Sequence, residues 1–320
     1  MQTEIGTDLE KVAELLQWGQ IVAIPTESVY GLAANALDQE AVIKVFQAKE
    51  RPFFDPLIIH THSIEKMKKW VTEVPEVALK LAKKFSPGPI TFVLPKKKVI
   101  PNLVTSGLPT VAVRIPNHPL TLELLRKLDY PLAAPSANLF GYVSPTSVAH
   151  VLDQLGGKIP YVLDGGPCKV GIESTIISFT DEKPVVLRVG GISIEDIEKI
   201  AGSVEVNLHS SSNPAAPGQL DSHYKPCKKV ILVPEGAEVN QEEPGKTGVI
   251  AFRKEWESVP KANQQILSAK GNLAEAARNI FAALRLLDRE GIEIMYAEEL
   301  PEEGLGRAIN DRLRRAASKR

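Results

Sequence analysis

Residues 203–228, SVEVNLHSSSNPAAPGQLDSHYKPCK, divide the chain into two stretches with different patterns. The segment holds three consecutive serines, three prolines and a glycine, and its only apolar alternation lies at its start. Such a composition has no apolar face to bury, so it reads as a connector. Before it, apolar runs typical of strands and of helices are mixed without strict alternation. After it they alternate. With about 150 residues as the prior for one domain, 320 residues suit two. The division predicts a first domain over 1–202, a linker over 203–228 and a second domain over 229–320.

In the first stretch, the spacing of Leu9, Val12, Leu15 and Leu16 predicts a helix over 9–18. Amphipathic patterns predict further helices over 38–49, 75–85, 120–128, 146–155 and 193–201, the last capped by Ser193. Short apolar runs at 21–25, 56–60, 90–94, 110–115 and 131–135, and three more between 161 and 188, predict strands. This order points to a mixed α/β sheet rather than a doubly wound one. In the second stretch, 229–234, 247–252 and 292–297 read as strands. Residues 272–290 keep Leu273, Ala276, Ala277, Ile280, Phe281, Leu284 and Leu287 on one helical face, and 306–319 reads as a final helix. Alternating strands and helices predict a small parallel three-layer unit.

Charge narrows the partners. Lys plus Arg number 38 against 39 Asp plus Glu, so the net charge is −1 and no global basic field draws the chain to nucleic acid. Cys168 and Cys227 have neither zinc nor disulfide spacing, which suits a reducing cytosol. No apolar run approaches the roughly 18–20 residues of a membrane span. The start, MQTEIGTDLEKVAELL, carries acids where a signal peptide would carry bases. A soluble cytoplasmic protein is expected. Residues 245–247, GKT, resemble the end of a phosphate loop, but the pattern needs glycine at 240, where asparagine stands. The five Lys and Arg residues between Arg312 and Arg320 read as a solvated helix C-terminus favoured by the helix dipole.

Three clusters in the first stretch carry more. In PTESVYGL at 25–32 a strand runs into short hydroxyl side chains, a donor and acceptor set for a small polar ligand or, more plainly, a capped turn. In AKERPFFDPLIIH at 48–60, Lys49 and Arg51 stand where Pro52 ends a helix, suited to the dipole or to polyphosphate, and His60 closes a strand. In APSANLFGYVSPT at 134–146, Ser136, Asn138 and Ser144 sit in a Gly- and Pro-punctuated loop able to turn backbone N–H groups toward an anion. Arg114 ends VAVR, Ser174 and Thr175 stand in GIEST, and Arg188 ends PVVLR. One fold gathering Lys49, Arg51, Arg114 and Arg188 would make a pocket for a strongly anionic ligand.

Taken in this order and spacing, PTESVYGL, the K-x-R of KER, PLIIH, the S-x-N of SAN, and GIEST followed by VLR resemble the YrdC-like L-threonylcarbamoyladenylate synthases over about residues 8–200. PGQLDSHYKP and the α/β unit ending in EGLGRAINDRLRRAA resemble the long two-domain form of that family. Two departures are Ser28, where many relatives have Thr, and Asp55, where many have Asn. The resemblance implies a twisted α/β domain with a large concavity and a small Rossmann-like second domain. It implies a reaction of L-threonine, bicarbonate or CO₂ and ATP to L-threonylcarbamoyladenylate and pyrophosphate, with Mg²⁺ held mainly by ATP phosphates. The product would pass to the machinery that makes threonylcarbamoyladenosine in tRNA, without required direct tRNA binding. By the same resemblance Ser28, His60, Arg114, Ala134 and Ser174 would hold threonine. Lys49, Arg51, Asp55, Thr110, Ser136, Asn138, Ser144, Arg188 and Tyr224 would surround ATP, with Lys49 and Arg51 catalytic and the linker acting as a lid. The reading from a different class is an RNA-binding translation factor using the same concave domain. A second rival is a carbamoyl-transfer enzyme of metal-centre maturation, which usually adds cysteine-rich zinc segments absent from this sequence.

Overall fold

The computed structural model describes residues 2–209, 214, 216–219, 224–237 and 243–318. In chain order the first part contains β1 (Glu4–Gly6), α1 (Leu9–Gln17), β2 (Val22–Ile24), β3 (Gly31–Asn35), α2 (Gln39–Lys49), β4 (Ile58–His60), α3 (Ile64–Met67), α4 (Glu76–Phe85), β5 (Ile90–Pro95), α5 (Asn102–Thr105), β6 (Thr110–Arg114), α6 (Pro119–Lys127), β7 (Leu132–Ala133), α7 (Val148–Leu155), β8 (Tyr161–Leu163), β9 (Thr175–Ser178), β10 (Val185–Arg188), α8 (Ile194–Ala201) and β11 (Glu205–Val206). The second contains β12 (Lys229–Val233), β13 (Thr247–Ala251), β14 (Gln264–Ile266), α9 (Leu273–Leu287), β15 (Ile294–Glu298) and α10 (Leu305–Ala317). The predicted helices form, and Ser193 caps α8 by accepting from the Asp196 N–H. The sequence reading missed β1, β3, β11, β14, α3 and α5. β3, GLAAN, has no β-branched residue, and it is a strand because β2 and β7 pair with it on either side.

The first sheet runs β1-β8-β2-β3-β7-β4-β6-β5-β9-β10-β11. β4 is parallel to β6, while β6 is antiparallel to β5 and β7 is antiparallel to both β3 and β4. The sheet is therefore mixed, as expected. Alternation along its central strands sorts side chains to two faces. Ile59, Phe92, Val111, Val113 and Ile177 point to one, packed with Phe46 of α2, Leu81 of α4 and Ile197 of α8. Ile58, Val93, Ala112, Ile176, Val185 and Leu187 form a separate cluster on the other. The one member of that cluster from outside the strands is Ala216, from the linker. Helices thus cover one face here, and the described part of the linker lies against the opposite face.

The second sheet runs β12-β15-β13-β14 with every pair parallel. It is not the three-layer unit predicted. Both α9 and α10 belong to one cluster with Val230, Ile250 and Met295. The opposite cluster of Val233, Val249 and Ala251 is closed by Trp256 and Val259. Glu298 accepts from the Trp256 indole N–H at 2.9 Å, which satisfies the buried ring's donor. The cluster around α9 and α10 also takes in Val29, Val143, Ile172, Val186 and Val189 of the first part, so the two parts share a core.

Candidate functional site

The loop after β2 is buried and ordered by its own hydroxyl. Thr26 Oγ1 donates to the Val29 carbonyl at 2.6 Å and accepts from the Ser28 and Val29 N–H groups at 3.1 Å. This turn delivers Glu27 and Ser28 to Arg114 at the end of β6. Arg114 Nη2 donates to Ser28 Oγ at 2.8 Å and pairs with Glu27 Oε1 at 2.8 Å. Glu27 Oε2 also accepts from the Asn117 N–H at 2.9 Å. His60 is the register partner of Arg114 across β4 and β6. Burial, followed by the nearby Arg114 charge, lowers the His60 pKa to about 3, so the ring is neutral at pH 7.

At the other end of β4, the preceding residue Leu57 donates its N–H to the Val104 carbonyl of α5 at 2.8 Å. Arg51 lies at that end. Its Nη2 donates to the Pro56 carbonyl at 2.9 Å and pairs with Asp55 Oδ2 at 2.9 Å, and its Nε donates to the Asp55 carbonyl at 3.2 Å. Burial raises the Asp55 pKa, against the pull of Arg51, Lys49 and Arg188. Asp55 thus has a structural partner, the guanidinium that it orients. Thr110 begins β6, roughly 13 Å along the strand from Arg114 at 3.3 Å per residue.

Lys49 ends α2 with its side chain buried. Its ammonium donates to the backbone carbonyls of Ser136, at 2.6 Å, and Asn138. Burial, then the Arg51 charge, hold its pKa well below the ordinary value. Asn138 spends its amide in the same way, donating to the carbonyls of Leu139 at 2.7 Å and Tyr142 at 3.0 Å. Lys49 and Asn138 therefore shape the loop that exposes Ser136. Ser144 Oγ donates to Glu173 Oε1 at 2.6 Å.

Arg188, at the end of β10, donates through Nε to the Ser174 carbonyl at 3.0 Å and through Nη2 to Ser174 Oγ at 3.1 Å. Thr91 Oγ1 lies 2.7 Å from the same hydroxyl. Arg188 Nη1 reaches the linker, donating to the Pro217 carbonyl at 3.3 Å. Tyr224, in the left-handed region at φ 61°, is buried with its ring stacked 5.4 Å from Phe281 of α9. Burial raises its phenol pKa to about 12.

Of the residues singled out in the sequence, Arg51, His60, Arg114, Ala134, Ser136, Arg188 and Tyr224 line one chamber with Pro217 and Gly218. Ser28 and Ser174 contact its arginines. Lys49, Asp55, Asn138 and Ser144 support its walls through hydrogen bonds and ion pairs to lining residues or their loops, and Thr110, at the start of β6, is not among the lining residues. About 50 Å³ remains open to a water-sized guest. That is well below the roughly 300–1,000 Å³ of a pocket that holds a drug-sized ligand, and Pro217 and Gly218 of the linker form part of its wall. Sequence reasoning gave no role to Glu27, Thr91, Glu173 and Arg312. Glu27 and Glu173 stand inside the quoted motifs, and an acid directly before a serine in both PTES and GIES was the available signal. The predicted solvation of the tail fails at Arg312, which is fully buried, and at Arg315, which is nearly so. His223 lies outside the described residues.

A family profile described as "Telomere recombination" matches residues 14–190. A second, described as "Threonylcarbamoyl-AMP synthase, C-terminal domain", matches residues 192–318. The chain is 43% identical to the threonylcarbamoyl-AMP synthase of Pyrococcus abyssi, over 96% of this chain and 93% of the relative. It is 38% identical to the threonylcarbamoyl-AMP synthase of Bacillus subtilis, over 99% of this chain and 96% of the relative. The crystal structure of P. abyssi Sua5 complexed with L-threonine superposes with a TM-score of 0.89 at 40% identity, covering 99% of this chain and 97% of that one.

Proposed function

This chain belongs to the threonylcarbamoyl-AMP synthase family along nearly its whole length, and we propose that its chamber joins L-threonine, bicarbonate or CO₂ and ATP into L-threonylcarbamoyladenylate, releasing pyrophosphate. It is an enzyme of the nucleotidyltransferase type. The observation that carries the proposal is the placement of Arg51, Arg114 and Arg188 around one small chamber. Both reactants are anionic, so a site that brings them together must neutralise charge and fix their approach.

Threonine would sit at the Arg114 end, its α-carboxylate on the guanidinium and its polar groups near Ser28, His60 and Ser174. A neutral His60 adds a hydrogen-bonding group without a further charge. The threonine amine attacks CO₂, loses a proton and becomes a carbamate. A carbamate oxygen then attacks the α-phosphorus of ATP, and the bond to the β-phosphate oxygen breaks to release pyrophosphate. Arg51 and Arg188 would face the phosphates, with Mg²⁺ arriving as part of the nucleotide substrate on its phosphate oxygens. The S-x-N loop that Lys49 holds would offer Ser136 to the nucleotide. No side chain acts as a nucleophile in this scheme.

The linker completes the scheme as a lid. Ala216, Pro217 and Gly218 pack over the chamber and Arg188 holds the Pro217 carbonyl. A carbamate–AMP anhydride hydrolyses readily, so excluding water protects it. The product would then pass to tRNA modification, a role that suits a cytoplasmic protein. Among the described residues no helix is long and apolar enough to cross a membrane. The decisive experiment measures pyrophosphate release from ATP with threonine and bicarbonate supplied together and singly. Release is expected only with both, and equal turnover without threonine would reject the assignment.

A further inference from the structure

Arg312, on α10 of the second sheet's layer, is the bulkiest fully buried side chain among the described residues. Its Nε donates to Glu173 Oε2 at 3.1 Å, and its Nη2 pairs with the same oxygen at 3.1 Å. Nη1 donates to the Val189 carbonyl at 2.6 Å and to Asp311 Oδ2 at 3.1 Å. The guanidinium carbon lies 5.2 Å from the centre of the Tyr224 ring. Apart from Asp311, these partners adjoin the chamber. Glu173 and Tyr224 line it, Glu173 precedes Ser174, and Val189 follows Arg188.

A buried ion pair is weak evidence of stability, because desolvation offsets much of its attraction. The fork is better suited to position. A planar guanidinium can hold a carboxylate, a carbonyl and an aromatic face at fixed mutual angles. Here the three belong to the loop just before β9, the residue just after β10 and the linker. α10 and its C-cap Ser318 also hold the linker at Leu208 and at Lys225. Arg315 Nη2 donates to the Leu208 carbonyl at 2.8 Å, and the Ser318 carbonyl accepts from Lys225 Nζ at 2.5 Å.

We propose that Arg312 is a positioning residue of the reaction: it sets Ser174 and Arg188 through Glu173 and Val189, and clasps the linker through Tyr224. The second domain would then report linker closure to the substrate groups without touching substrate. The inference rests on the function proposed above, and its test separates the two. Arg312→Met keeps the length of the stem and removes the fork, while Arg312→Lys keeps a charge beside Glu173 but not the fork. Turnover and threonine KM are measured per folded molecule. Trypsin-independent cleavage of the linker, by a protease of broad specificity, is followed with and without ATP plus threonine. Arg312→Met should lower turnover about ten- to a hundredfold, the range for a small misplacement of reacting groups, and raise threonine KM. It should also weaken the protection of the linker. Arg312→Lys should recover thermal stability and only part of the turnover. Near-native constants and linker protection in either folded variant would overturn the proposal, and if Arg312→Met does not fold the lysine variant decides. Wild-type enzyme that releases pyrophosphate without threonine would instead overturn the function.

Discussion

Replacing Arg114 with alanine removes a ligand contact and a structural partner together, and the geometry allows the two losses to be separated. The guanidinium is buried, pairs with Glu27 and donates to Ser28 Oγ, both at 2.8 Å. If it also takes the threonine α-carboxylate, its loss costs one charge-assisted contact of about 1.5–3 kcal/mol, or roughly ten- to hundredfold in threonine affinity. The second loss is independent of threonine. Glu27 is 5% exposed and would keep the hydrogen bond from the Asn117 N–H but lose its ion pair. Breaking a buried pair on one side costs about 3–5 kcal/mol of stability. Adding Glu27→Gln removes the stranded charge, so the double variant should regain much of the unfolding midpoint and none of the threonine affinity. Calorimetric titration with threonine and with ATP, beside thermal unfolding, measures both quantities. ATP affinity should change much less than threonine affinity. A folded double variant that binds threonine normally would refute the carboxylate contact.

The neutral His60 makes an acid-side prediction. Its folded pKa of about 3 lies below the unfolded value near 6.5, so the unfolded chain binds the extra proton between them and stability falls as pH drops below 6.5. Between pH 7 and pH 5 this one group removes up to about 2 kcal/mol, and His60→Gln should flatten that slope in unfolding curves; an unchanged slope would show the ring to be already protonated or exposed. Gly218 makes a prediction about the linker. It stands at φ 86°, and an added Cβ would lie 3.0 Å from Arg188 Cδ and 3.2 Å from the Tyr224 hydroxyl. Gly218→Ala should therefore disfavour the closed position by about 1 kcal/mol or more, roughly fivefold in the closed-to-open ratio. Faster linker proteolysis in the presence of substrates is expected, and unchanged proteolysis would count against closure through this turn.

Local patterns were legible wherever a segment's own chemistry sets its state. The apolar spacing of 272–290 predicts a helix, and Leu273–Leu287 is one. Ser193 caps its helix as its hydroxyl suggests. The strand-end position of Arg114 and His60 follows from VAVR and PLIIH, and the register of β4 and β6 sets them side by side. The motifs PTESVYGL, KER, SAN, GIEST and VLR carry the resemblance to the family that the profiles identify, and Arg51, Ser136 and Arg188 from among them line the chamber.

What those residues do with their polar atoms was decided by the tertiary structure. Lys49 reads as a cation for phosphate or for a helix end, and the fold sets its ammonium on the backbone carbonyls of Ser136 and Asn138. Arg312 read as solvated because basic helix ends usually are, yet the packing of α10 brings it to Glu173, 139 residues away, and their opposite charges make burial tolerable. The linker read as a spacer by composition, and Ala216 is buried only because the sheet leaves its Ile58, Ala112 and Leu187 face uncovered by helices. A sequence states which groups a chain carries and what each prefers locally. Which of them meet depends on the register of distant strands and on which faces remain to be covered, and these are set by the whole sheet at once.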